Sequence, residues 1–102
     1  MKLTVGSRWK SAVCDTEVVV VRPLKDEAQL ECGGAAMLNM SAERPPGAAP
    51  RPDRSSGTLL GKRYADEAHG LELLCTKGGA GTLSLDEKLL TLRAATPLPS
   101  SD

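Results

Sequence analysis

The sequence predicts an all-β chain: two small β-hairpin lobes, residues 1–40 and 58–98, packed together as an internal pseudo-dimer and joined by a Pro/Ala-rich linker, residues 41–57. Three observations carry that expectation. Residues 16–22 (TEVVVVR) hold four consecutive valines, whose branched Cβ atoms suit a pleated strand better than a helix. Residues 41–57 (SAERPPGAAPRPDRSSG) hold four of the seven prolines and no large apolar side chain, so they can build neither a ladder nor a core. The lobes on either side can also be set in register with one another.

Along the first lobe, residues 2–5 read as a short strand ending at Gly6, and residues 16–22 as the main strand, closed by Pro23. Asp26-Glu27 makes a polar connection, residues 29–32 (QLEC) return, and Gly33-Gly34 forms a tight turn, where the missing Cβ allows positive φ. Small and apolar residues 35–40 close the lobe. The linker reads as an extended, mobile connector. In the second lobe, residues 71–76 (LELLCT) are a strand and residues 77–81 (KGGAG) a glycine-rich turn. Residues 82–85 return, Asp86-Glu87 turns, and residues 88–92 (KLLTL) form a last strand. Residues 96–102, with the tail 99–102, read as loose.

Hydrophobic residues make up 40% of the chain but aromatics only 2%, Trp9 and Tyr64 with no Phe, so the core must come from Val, Leu, Ala and Met. Lobes of about 40 residues sit near the size at which a metal, a disulfide or a partner is needed for stability. Thirteen basic and thirteen acidic residues cancel, which argues against a nucleic-acid role driven by phosphate neutralisation. No apolar run is long enough for a membrane helix, and residues 1–5 carry no signal sequence, so a cytoplasmic location is expected. In that reducing compartment three cysteines are not a structural disulfide framework. Cys75, within Leu73-Leu74-Cys75, reads as a small apolar filler.

Residues 6–17 (GSRWKSAVCDTE) align with residues 61–72 (GKRYADEAHGLE). Gly6 meets Gly61, Arg8 meets Arg63, Trp9 meets Tyr64 and Glu17 meets Glu72. Val18-Val19-Val20 then lie over Leu73-Leu74-Cys75. With the next connection two residues shorter in the second copy, Leu30 meets Leu83, Gly33-Gly34 meets Asp86-Glu87 and Met37 meets Leu90. The chain's only two aromatics share one column. Repeats of this kind bury a shared surface that neither half could bury alone.

Residues 9–20 (WKSAVCDTEVVV) followed by residues 30–37 (LECGGAAM) resemble desulforedoxin and the amino-terminal domain of desulfoferrodoxin. That family shows an aromatic, a Cys-x-x-Cys knuckle, a Val-rich strand, a polar turn, a Cys-Cys-Gly turn and a closing Met. The resemblance implies two desulforedoxin-like hairpin lobes and a one-electron iron site of four thiolates. Here the four ligand positions fall on Ser11, Cys14, Cys32 and Gly33, so two thiolates remain. The matching positions of the second lobe are Asp66, His69, Leu85 and Asp86. Asp66, His69 and Asp86 read either as a harder-metal set or as exposed turn residues.

Other chemistry finds less support. The run Gly78-Gly79-Ala80-Gly81 lacks the Gly-Lys-Ser/Thr of a phosphate loop, and His69 sits in no nucleophile-elbow context. The expected function is therefore a small non-catalytic accessory protein or subunit with no cofactor, binding a protein partner or larger enzyme subunit, or a second copy of itself. The alternative is a metal-binding (iron or zinc) or redox protein using Cys14 and Cys32. A third reading, a small enzyme working through His69 and neighbouring acids, ranks last.

Overall fold

The computed structural model describes residues 1–24 and 26–93; the expectations for residues 94–98 and for the tail lie outside them. Ten short strands follow one another with no α-helix among the described residues. The first half supplies β1 (Arg8–Lys10), β2 (Glu17–Arg22), β3 (Leu30–Cys32), β4 (Ala35–Ala36) and β5 (Leu38–Asn39). The second supplies β6 (Arg63–Asp66), β7 (Leu71–Lys77), β8 (Leu83–Leu85), β9 (Lys88–Leu89) and β10 (Thr91–Arg93). A single 3-10 turn, Pro52–Arg54, lies between them.

The strands form two antiparallel sheets, one of six strands in the order β10-β6-β7-β2-β1-β5 and one of four in the order β4-β3-β8-β9. Both sheets are shared by the two halves, which meet at β2–β7 in one and at β3–β8 in the other. Pairing is centred on Val19 opposite Leu74 in the larger sheet and on Glu31 opposite Ser84 in the smaller. Arg8 to Arg63 and Arg22 to Lys77 span 55 positions, whereas Leu30 to Leu83 and Leu38 to Thr91 span 53. These offsets are those of the sequence register.

Alternation along β2 explains its seat: Val18 and Val20 are fully buried while Val19 and Val21 are only partly so. Leu71, Leu73 and Cys75 do the same along β7, and with Leu30, Cys32, Met37, Leu83 and Leu85 they fill one core between the sheets. Tyr64 is buried in that core, and Trp9 packs partly against it.

Three expectations are corrected. Residues 2–5 form no strand; Leu3 instead plugs the core and its carbonyl accepts Leu24 N–H at 3.2 Å. Residues 88–92 are two strands in different sheets, because the chain turns inward at Leu90, whose N–H bonds Leu83 O. Met37 makes the same corner in the first half through Leu30 O. The linker, expected to be free, is tied down at its second end: Arg51 N–H bonds Gly33 O, and Arg54 O and Ser56 N–H bond the backbone and hydroxyl of Thr82.

Both predicted two-residue turns have positive φ at each central residue, as type I′ geometry requires. Gly33 and Gly34 adopt +67° and +86° at no steric cost, but Asp86 and Glu87 adopt +47° and +69° with side chains that disfavour it.

Candidate thiol site

The site grows from the turn between β1 and β2. Ser11, fully buried, accepts the amides of Val13 at 3.0 Å and Cys14 at 3.1 Å on its hydroxyl, folding the chain into a small knuckle. The Cys14 thiol in turn donates to the same hydroxyl oxygen at 3.2 Å, and once that thiol is ionised the Ser11 hydroxyl can donate to the sulfur instead. Thr16 Oγ1, also fully buried, lies 3.3 Å from the same sulfur. Cys32, on β3, brings its Sγ to 3.7 Å from that of Cys14.

The second half completes the surround. Gly81 N–H donates to Cys14 Sγ at 3.4 Å, and a Cβ built on Gly81 would stand 2.9 Å from both Cys32 Sγ and Gly33 N. A Cβ on Gly79 would stand 2.5 Å from Thr16 Oγ1. The glycine-rich segment is thus pressed onto the knuckle so closely that only hydrogen fits at two of its positions. It is fixed by Thr58, whose backbone exchanges two hydrogen bonds with Gly79 and whose hydroxyl donates to Gly81 O.

The two thiols differ in kind. Burial opposes ionisation of Cys14, but the donors from Ser11, Thr16 and Gly81 together outweigh it and lower its pKa to about 7. Burial, and then the nearby Cys14 charge, push Cys32 up to about 11. Cys14 is partly exposed, whereas Cys32 is fully buried behind it. Cys75 stands apart, buried on β7 opposite Val18, its thiol donating to Lys77 O at 3.2 Å and held up by burial. That is the setting of an apolar filler.

The four-thiolate iron site implied by the resemblance does not fit these residues. Ser11 offers a hydroxyl, and a Cβ on Gly33 would meet Val13 Cγ2 at 2.6 Å and Pro50 Cβ at 3.0 Å. The fourth ligand position is therefore filled by the chain itself.

In the second half, Asp66 does what Ser11 does in the first: its carboxylate accepts His69 N–H at 3.2 Å and contacts the His69 ring at 3.1 Å. The His69 contacts lower the Asp66 pKa against the opposing cost of burial. Asp86 is elsewhere, on the turn between β8 and β9, where it exchanges hydrogen bonds with Gln29 through Gln29 N–H to Oδ1 and Asp86 N–H to Gln29 O, both 2.9 Å. Leu85, at the place matching Cys32, is buried core. Among the described residues, no group of three or more His, Cys, Asp or Glu side chains gathers in an arrangement that could hold a metal ion.

Sequence reasoning found Cys14 and Cys32 but missed Thr16, Gly79 and Gly81. Glycine density was the available signal, and a hairpin turn explains it equally well. No family model, curated protein or solved structure matches the chain. Among the described residues, no helix is long and apolar enough to cross a membrane.

Proposed function

We propose that this chain is a small accessory protein, with no catalytic turnover of its own, in which Cys14 and Cys32 form a two-electron thiol–disulfide switch on a degenerate desulforedoxin-like scaffold. The observation that carries the reading is the 3.7 Å approach of one partly exposed, acidic thiol to one buried, weakly acidic thiol. The gap has only to close to the roughly 2.0 Å of an S–S bond.

The chemistry needs a small disulfide of the glutathione class as oxidant. Cys14 thiolate attacks one sulfur of that disulfide, its S–S bond breaks, and one small thiolate leaves. Cys32 then loses its proton and attacks Cys14 Sγ, expelling the second small thiol. One protein dithiol and one small disulfide become one protein disulfide and two small thiols. Burial of Cys32 supports this order, because only Cys14 can be reached first.

Incubation of the reduced protein with oxidised glutathione, followed by intact-mass measurement, tests the proposal. A mass lower by two hydrogens, with Cys14 and Cys32 joined in the peptide map, is expected. A stable glutathione adduct on Cys14, or no change, would overturn it.

A second reading keeps a thiophilic ion at the pair. The 3.7 Å sulfur separation is close to the about 3.75 Å edge of a tetrahedron with metal–sulfur bonds of about 2.3 Å. Stoichiometric zinc or iron in the anaerobically purified protein, lost in Cys14→Ser, would favour it. The accessory role itself draws support from exposed Val5, Leu59, Leu60, Leu89 and Leu92, apolar side chains that a protein partner could cover. Native mass of the chain isolated from its source cells, expected to exceed that of the monomer, checks that part.

A further inference from the structure

We infer that the glycine-rich loop of the second half, residues 78–81, is a working part of the thiol site, with the Gly81 amide positioning Cys14 as the attacking sulfur and favouring the reduced pair. The inference rests on the dithiol reading above.

The geometry is specific. Gly81 N–H is the donor that reaches Cys14 Sγ from the far half of the chain, at 3.4 Å and across 67 residues of sequence. The missing side chain of Gly81 is what allows the approach, since a Cβ would collide with Cys32 Sγ and Gly33 N. Gly79 seats the same loop on Thr16, the residue whose hydroxyl is another contact of Cys14 Sγ. Thr58 anchors the loop from beneath through Gly79 and Gly81. Among the described residues, Cys14 has Cys32 on β3 and Cys75 on β7 as neighbouring thiols and the adjacent Asp15, which Arg44 pairs at 3.4 Å. The Arg44 guanidinium is thereby engaged by Asp15, so neutral donors carry the stabilisation of sulfur charge.

A hydrogen bond to a thiolate is strong because its acceptor is charged. When the Cys14–Cys32 bond forms, that charge disappears and the bond from Gly81 weakens. The loop therefore stabilises the dithiol relative to the disulfide. A loop that merely closed a hairpin would leave this equilibrium unchanged.

The test replaces the Ala80–Gly81 amide by an ester in a semisynthetic full-length chain, which removes the N–H without adding a side chain. Both proteins are equilibrated against reduced and oxidised glutathione, and the disulfide fraction is measured. The ester should favour the disulfide about tenfold, a potential about 30 mV more negative. Equal equilibria, within twofold, would overturn the positioning role while leaving the switch intact. Absence of any disulfide in the unaltered protein would overturn both.

Should the ester chain fail to fold, the Gly81 amide resonance of the unaltered protein decides. It should move markedly between the dithiol and disulfide forms and move likewise in Cys14→Ala. A resonance indifferent to both changes would overturn the inference.

Discussion

Ser11–Cys14 and Asp66–His69 close two knuckles at matching places in the strand order, yet only the first brings two thiols together. In the first, a short hydroxyl satisfies two amides and lies against a sulfur, while Cys32 approaches from β3. In the second, a carboxylate satisfies one amide and a ring, and Leu85 occupies the place across from it. The backbone path is kept by whatever side chain can accept the knuckle amides. What differs is the pair of side chains that face each other, Cys14 and Cys32 in the first half and His69 and Leu85 at the matching places of the second. A desulforedoxin-like ancestry with two equivalent halves would account for this, as proposed above.

The comparison can be broken most directly by giving the first half the residue of the second. Cys32→Leu should abolish disulfide formation entirely, leaving Cys14 to accumulate a mixed disulfide with glutathione, read by intact mass. Its larger side chain beside Gly81 should also cost about 1–3 kcal/mol of stability.

Next in size is the pH dependence of thiol reactivity. Alkylation of Cys14 should be half-maximal near pH 7 and fall roughly tenfold per pH unit below it, because its hydrogen-bond donors hold its pKa at about 7. Cys32, pushed up to about 11, should remain unmodified at neutral pH. The linked stabilities run in opposite senses. Because Cys14 is more acidic in the folded chain, its contribution is full above about pH 9 and is lost as pH falls through about 7. Because Cys32 is less acidic when folded, its contribution is present below about pH 9 and is lost as pH rises toward about 11. Urea midpoints of Cys14→Ala and Cys32→Ala across this range check both signs.

A third asymmetry lies at the centre of the smaller sheet, where Glu31 faces Ser84. Glu31, 3% exposed, accepts the Ser84 hydroxyl and the Glu87 amide at 2.9 Å each on Oε1, and Gln29 Nε2 at 3.1 Å on Oε2. Glu31→Ala leaves several donors without partners and should cost about 3 kcal/mol. Ser84→Ala, which removes only one, should cost about 1 kcal/mol. Comparable losses would show that the carboxyl is not the hub of this network.

The smallest effect concerns the two turns. Glu87→Gly should stabilise the chain by about 1 kcal/mol, because a side chain at φ +69° is relieved. Gly33→Ala should destabilise it by more than that, since the added Cβ meets Val13 and Pro50. Thermal melts of the two variants should therefore move in opposite directions.

Much of the fold was legible because short-range rules govern it. Four valines and the alternation around them mark β2, and paired glycines mark a two-residue turn. Arg8–Lys10 and Arg63–Asp66 went unrecognised as strands because each mixes charged with aromatic residues and draws its pairing from β2 and β7. The corners at Met37 and Leu90 were hidden for a similar reason, since an apolar run does not reveal which residue turns inward. In the site, the two cysteines were visible as residue types at recognisable places. Thr16 and the glycine loop were not, because their part comes from contact.

By itself, then, the sequence determined the β character of the chain, the place of its main strand and of its two tight turns, and which residue types stand at the first knuckle. These follow from side-chain shape, spacing and identity, all local properties. Only the tertiary structure decided that the halves share both sheets and that the linker is pinned against Gly33 and Thr82. It alone set Cys32 against Cys14 across 18 residues and Gly81 against Cys14 across 67. Such approaches depend on which strand edges pair, and that pairing is settled by the burial of the whole core rather than by any one segment.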